Sequence, residues 1–263
     1  TEPDIFMLNT NWVIIYLILG IFCISALNCV AQTPSAEKPH HTPNGFRNIH
    51  SYEENSFGDF IKWRRERAKM DIPGPESYDF PLAENDPAFL QQNYEKITLT
   101  WIGHATVLLQ MAGTNILTDP HFSKRTSPIQ WAGPKRAAPL GLALEDLPPI
   151  DIVVISHDHY DSLDESSIKK LRQRPGGGKT RFYVPLGLKD WFAIRGVDQV
   201  IEMDWWDRQR KGDLEIIAVP VQHWSKRSVF SRNKTLWAGW VIKADSFQFI
   251  FVGDTGYAPH FKD

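Results

Sequence analysis

The apolar run Ile152-Val153-Val154-Ile155 leads through Ser156 into His157-Asp158-His159-Tyr160-Asp161, and no other stretch constrains the chain as strongly. A short continuous apolar run bounded by polar residues reads as a buried strand. At its end, two imidazoles at i and i+2 and a carboxylate at i+4 can converge on one ion. Imidazole and carboxylate suit zinc, iron or manganese, and a site with few protein ligands leaves room for water. Such an ion lowers the pKa of bound water to about 7, which is hydrolytic chemistry in outline. With nine histidines in 263 residues, chance supplies roughly 0.3 His-x-His pairs, and requiring the aspartate two positions on lowers that to about 0.02.

Two distant stretches repeat the pattern. Val219-Pro220-Val221-Gln222-His223-Trp224 places a histidine at the end of a second apolar run, and Phe249-Ile250-Phe251-Val252-Gly253-Asp254 places an aspartate at the end of a third. Three strands delivering ligand-type side chains at one end describe a metal site built on a sheet edge.

Alternating or apolar runs predict strands at 97–101, 106–111, 115–118, 151–156, 181–184, 199–203, 214–221, 236–243 and 247–252, with helices at 165–172 and 188–194. Periodicity alone says only mixed α/β. The Pro/Gly-punctuated stretch 122–147 reads as a long substrate-facing loop. Upstream, 57–70 reads as a charged amphipathic helix ended by Asp71-Ile72-Pro73-Gly74-Pro75, and 32–56 as a polar linker.

Composition narrows the function classes. A 42% apolar content supports a sizeable core, and a net charge of −2 argues against a nucleic-acid partner. Residues 12–31 are the one membrane-competent stretch, and Cys29-Val30-Ala31 fits a small-x-small cleavage site. This predicts a signal peptide or membrane anchor over 1–31, a linker with a helical extension over 32–86, and a hydrolase domain over 87–263. The protein is then exported to the periplasm or cell envelope. Both cysteines, Cys23 and Cys29, lie in the leader, so the remainder holds no disulfide and no thiolate ligand.

The chain resembles the metallo-β-lactamase superfamily at His157, His159, Asp161, His223 and Asp254. Further motifs are similar to N-acyl-phosphatidylethanolamine-hydrolysing phospholipase D and its bacterial RomA-like relatives. They include Trp101-Ile102-Gly103-His104-Ala105-Thr106, Leu117-Thr118-Asp119-Pro120, Gly133-Pro134-Lys135-Arg136, Asp204-Trp205-Trp206 and Gly253-Asp254-Thr255-Gly256-Tyr257. The motifs run in family order over about residues 87–263, and His40-His41-Thr42-Pro43-Asn44-Gly45-Phe46-Arg47-Asn48 is similar to the leader region of bacterial members.

The resemblance implies an αβ/βα sandwich. It implies that His157, His159 and His223 hold a first Zn2+, that Asp161 binds a second, and that Asp254 bridges them. Asp161 and Asp254 would position a metal-bound hydroxide for phospholipase D-type cleavage of a phospholipid, in association with a membrane. His104, Asp119, Ser162 and Trp224 are implied as nearby or substrate-facing residues. Two departures qualify this. The family carries a histidine where this chain has Ser162, a poor zinc ligand, so the second ion is expected to be weak or absent. The sequence ends at Asp263, before the family's final histidine and last strands, so the domain is expected to be truncated at its C-terminus. A lactone hydrolase, or a non-catalytic envelope protein with a degraded metal site, are the competing functions.

The remaining residues carry weaker signals. Lys135, Arg136, Lys226 and Arg227 are candidates for pairing with a phosphate. Trp101, Trp237 and Trp240 read as core. Trp131, Trp205 and Trp206 read as core or as the wall of an acyl-chain groove. His40, His41, His50, His121 and His260 show no partner pattern and read as surface residues, and Gly176-Gly177-Gly178 reads as a flexible turn.

Overall fold

The computed structural model describes residues 38–52, 56–72, 79–245 and 247–262, and 39–263 form one compact unit. The leader expected over residues 1–31 lies outside the described residues. Among the described residues no helix is long and apolar enough to cross a membrane.

Two sheets organise the unit. The first has six strands in the order β3-β4-β5-β6-β7-β8. Strands β3 (Thr98–Gly103), β4 (Thr106–Met111) and β5 (Thr114–Thr118) are antiparallel. Ala112 and Gly113, at φ +49° and +65°, make the two-residue turn between β4 and β5, the positive-φ pair that matches strand twist. From β5 onward the sheet is parallel, through β6 (Ile152–Val154), β7 (Arg181–Pro185) and β8 (Val200–Met203). Parallel neighbours need crossover connections, and helices α3 (Glu165–Gln173) and α4 (Lys189–Ala193) lie in those between β6, β7 and β8.

Strand β6 explains its own sequence. Ile152, Val153 and Val154 are wholly buried, because side chains alternate across a sheet that is covered on both faces. Val153 packs with Ile168, Leu171 and Phe192 of the helices. Ile152 and Val154 pack against the second sheet. That sheet has four antiparallel strands in the order β12-β11-β10-β9, running β9 (Arg208–Lys211), β10 (Leu214–Val219), β11 (Gly239–Ala244) and β12 (Phe247–Phe251). Leu214, Ile216, Ala218, Trp240 and Ile242 form its inner face. Strand β9, reading Arg-Gln-Arg-Lys, carries no apolar alternation and escapes prediction. It is an edge strand, where charge blocks further pairing.

Three expectations change. Trp101 is in β3 but 59% exposed, because β3 is an edge strand and its outward side chains meet no second layer. Residues 39–50 are not a free linker. They form a hairpin of β1 (His41–Thr42) and β2 (Gly45–Phe46) docked on the domain, with the Phe46 N–H donating to the Asn233 carbonyl at 2.8 Å. A Cβ on Gly45 would stand 2.0 Å from that carbonyl oxygen, so the contact requires glycine. Helix α1 (Phe57–Arg67) closes its N-terminus with a capping box between Ser56 and Asp59 and buries none of its residues. Helix α2 (Pro87–Gln92) inserts Leu90 into the core under β3–β5. The long segment after β5 is loop only in part, since Leu142, Leu144, Leu147 and Ile150 at its far end are core residues.

Candidate metal centre

The site forms where β6, β10 and β12 end together. Main-chain and side-chain bonds fasten these ends: Ala238 N–H to the Ser156 carbonyl at 2.8 Å, Gly256 N–H to the Gln222 carbonyl at 2.8 Å, and Lys226 N–H to Asp158 Oδ1 at 2.7 Å. Gly253, at φ +58°, lies against Ser156, where a Cβ would come within 2.4 Å of the serine Cβ. Only glycine allows that approach, which carries Asp254 to the end of β6.

His157, His159 and His223 come together there, each with a ring nitrogen within 4.8 Å of the others'. His157 Nε2 is buried with no hydrogen-bond partner. His159 Nδ1 and His223 Nε2 lie 3.3 Å apart. Two nitrogens bound at 2.0–2.1 Å to a tetrahedral zinc stand about 3.3 Å apart, so spacing, donor type and the orphaned nitrogen all fit a divalent ion. Burial pushes the pKa of all three below the ordinary imidazole value. His157 lies well below it, and His223 is lowered to about 4. The rings are therefore neutral near pH 7, with lone pairs to donate.

A relay behind the first ligand sets its tautomer. Ser156 donates its N–H to Asp119 Oδ1 at 2.7 Å and its hydroxyl to Asp119 Oδ2 at 2.5 Å, which leaves Oγ to accept from His157 Nδ1 at 2.8 Å. With the proton on Nδ1, Nε2 is the free donor, the arrangement by which outer residues orient metal ligands. Asp119 is fully buried at φ +30°. Burial pushes its pKa up to about 8, against the pull of the two Ser156 bonds. The acceptor role of Asp119, and with it the Nδ1–H tautomer of His157, therefore belongs to the ionised carboxylate and strengthens as pH rises through that value. The buried Ser162 hydroxyl lies beside Asp119 and lowers its pKa.

The carboxylates form a second centre of charge. Burial raises the pKa of Asp161, but the His104 hydrogen bond and the fields of His157 and His104 outweigh it and hold the group well below the usual carboxylate range. Asp254 moves the other way, raised by burial and then by the like charge of Asp161. His104, at φ +53°, places Nε2 3.2 Å from Asp161 Oδ2, and that bond raises its pKa. His159 also meets the edge of Trp224, with ring centroids 4.3 Å apart. The second-ion candidates are thus adjacent in charge, while Ser162 offers no imidazole.

A cavity of about 530 Å³ opens beside this cluster. Phe80, Trp101, Pro134 and Ala137 form its apolar wall, and His104, Asp161, Lys135 and Arg136 its polar side. His121 also lines it and is 2% exposed, not a surface residue. Arg136 Nη2 donates to His121 Nδ1 at 2.7 Å and to the His121 carbonyl at 2.5 Å. A guanidinium can only donate, so His121 Nδ1 accepts and the proton sits on Nε2.

Other readings are corrected by the same geometry. Arg227 is a structural cation, bonded to the carbonyls of Asp158 and Leu163 and stacked over Tyr160 and Trp191. Trp205 is core, Trp206 is half exposed, and Trp131 is exposed. His40 and His260 are buried and His41 is half-buried. His40 and His41 bind the two oxygens of Asp204 at 2.6 and 2.8 Å, a cluster that sequence reasoning missed. The signal lies in the two motifs His40–Asn48 and Asp204–Trp206, which stand 164 residues apart from His40 to Asp204 and so form no local pattern.

A family model described as a beta-lactamase superfamily domain matches residues 114–262. The N-acyl-phosphatidylethanolamine-hydrolyzing phospholipase D 1 of Caenorhabditis elegans is 38% identical over 167 residues, which are 60% of this chain and 46% of that protein. The mitochondrial enzyme of the same name from Saccharomyces cerevisiae is 35% identical over 163 residues, 60% of this chain and 34% of that one. Among solved structures, the diiron β-hydroxylase CmlA from Streptomyces venezuelae aligns with a TM-score of 0.47 at 25% identity, covering 63% of this chain and 31% of its own. The chain spans half or less of the length of these relatives. From the matched domain and the convergent histidines at its strand ends, the chain belongs to the metallo-β-lactamase superfamily.

Proposed function

We propose that this chain is the catalytic part of a zinc-dependent phosphodiesterase that acts on phospholipid-like amphiphiles with phospholipase D-type cleavage. The observation that carries the reading is the junction of three neutral histidines, two carboxylates and a largely apolar cavity edged by Lys135 and Arg136. The names of the phospholipase D relatives support the same substrate class.

In this reading His157, His159 and His223 hold one tight ion, and Asp161 and Asp254 stand where they would hold a second more weakly, because Ser162 contributes no imidazole. A divalent ion so held supplies Lewis acidity to a phosphoryl oxygen and activates water at neutral pH. The chain's own groups do the rest. Lys135 and Arg136 attract the phosphate. Phe80 and Trp101 take the apolar chain. His104, whose proton is stabilised by Asp161, is placed to donate to the departing alcohol oxygen. The bond that breaks joins phosphorus to the headgroup oxygen, so the phosphate stays with the diacylglycerol. The apolar leader delivers the domain to the cell envelope, where such lipids are presented.

Turnover of N-acyl-phosphatidylethanolamine vesicles and of bis(p-nitrophenyl) phosphate by the zinc-loaded chain tests this. Both should be hydrolysed, and Asp254→Asn should lower kcat for both by at least about 100-fold, the scale of a lost catalytic group. Trp101→Ala should raise KM for the lipid only. Hydrolysis of the soluble diester but no lipid would remove the lipid assignment. No turnover of either would favour a non-catalytic domain.

A further inference from the structure

We infer that the N-terminal arm, residues 39–50, is a built-in brace for His223, with Asn48 as its positioning residue. The inference rests on the reading of His157, His159 and His223 as metal ligands and adds to it a segment that lies about 175 residues away in sequence.

His223 lies beyond the last registered pair of β10 and β11, Val219 with Gly239, so no strand partner serves its backbone. Asn48 serves it instead. Its Nδ2 donates to the His223 carbonyl at 2.8 Å, and its Oδ1 accepts from the His223 N–H at 3.3 Å and from Trp237 Nε1 at 3.2 Å. One side-chain amide thus makes the two bonds a neighbouring strand would make. One residue earlier, Gln222 Nε2 donates to the His50 carbonyl at 3.1 Å.

Asn48 can do this only if the arm is anchored, and the arm has its own anchor. His40 Nε2 donates to Asp204 Oδ1 at 2.6 Å and His41 Nε2 to Oδ2 at 2.8 Å, so both carboxylate oxygens are engaged. The His40 ring stacks on Trp205 at 4.3 Å. The hairpin is closed on itself by Arg47 N–H to the His40 carbonyl at 2.9 Å and Arg47 Nε to the Pro39 carbonyl at 2.7 Å. Those histidine–carboxylate separations are those of short hydrogen bonds. Donors sharing one ion at about 2.1 Å would stand about 3.3 Å apart, so the cluster is a clasp.

Amide exchange on the metal-free chain and chelator-competed zinc binding on the loaded chain test the two halves of this inference. In Asn48→Ala, protection at residue 223 should fall on the order of tenfold with 152–155 unchanged, and zinc should bind roughly 10–100-fold more weakly, the range for lost outer-shell support. Asn48→Asp, which keeps the acceptor and loses the donor, should fall between. The His40→Ala/His41→Ala double variant should move both readouts the same way while the number of tightly bound ions stays the same. Unchanged protection at 223 in Asn48→Ala would overturn the brace. Faster exchange with unchanged zinc affinity would overturn its positioning role. Loss of a bound ion in the double variant would make the clasp a metal site and overturn the inference. A wild-type chain that binds no zinc, with 223 still released by Asn48→Ala, would uphold the brace and overturn the metal reading alone.

Discussion

The described residues hold two clusters of histidine within the same domain, and their chemistry is opposite. In the first, His157, His159 and His223 face one another, with His157 Nε2 buried and unbonded and the closest nitrogens 3.3 Å apart. In the second, His40 and His41 spend their nitrogens on Asp204 at 2.6 and 2.8 Å. A buried donor or acceptor without a partner costs about 1–3 kcal/mol, so the first cluster keeps a nitrogen that a bound cation would satisfy. The second is already finished. The difference teaches that histidine clustering does not define a metal site. What defines it is whether the lone pairs remain unspent once every local hydrogen bond has been counted.

The largest predicted effect separates the clusters by ligand count. His157→Ala should weaken zinc binding by more than about 100-fold, beyond the loss typical of an outer-shell partner, whereas His41→Ala should leave the bound-ion count unchanged. Inductively coupled plasma mass spectrometry on dialysed protein reads this directly, and equal losses in both variants would erase the distinction.

Acid should expose the first cluster next. The folded pKa of His223 is depressed to about 4, while an unfolded imidazole titrates near 6.5. Between those values the unfolded chain binds the proton and the folded chain does not, so metal-free stability falls as pH drops from about 6.5 to 4 and levels off below. For the same reason zinc should stay bound to about pH 5 and leave near 4. Release centred at 6.5 would mean that the burial of this imidazole has no hold on its proton.

The smallest effect concerns the clasp. Asp204→Asn keeps one acceptor and removes the other, which leaves one imidazole N–H of the arm without its bond. Thermal unfolding should report a loss of about 1–3 kcal/mol with no change in ions per chain. A neutral result would mean that the arm contributes no stability.

How much of this was legible depended on whether a residue announced itself by local pattern. The ligand-type residues His157, His159, His223, Asp161 and Asp254 all stand at the ends of apolar runs, and such runs become strands whatever surrounds them. The predicted edges of β4 and α3 fall within one residue of those observed, for the same reason. Asn48, Ser156 and Arg136 have no such pattern. Their roles rest on partners as distant as 189 residues, and hydrogen-bond partners that distant leave no periodicity. His121 and Trp101 failed in opposite directions, one buried and one exposed. Alternation shows that a strand has two faces but not which of them a neighbouring layer covers.

The sequence by itself determined the apolar strands, the ligand types and the end of the sheet at which they emerge, since these follow from hydrophobic period and side-chain chemistry within a few residues. Only the tertiary structure decided which histidines keep a free lone pair and which are consumed. It also decided that a polar, linker-like segment is an anchored arm, and that Ser156 and Asp119 stand behind His157. Those outcomes depend on which groups meet after packing and on how much water is excluded where they meet, and neither quantity is a property of any single stretch of chain.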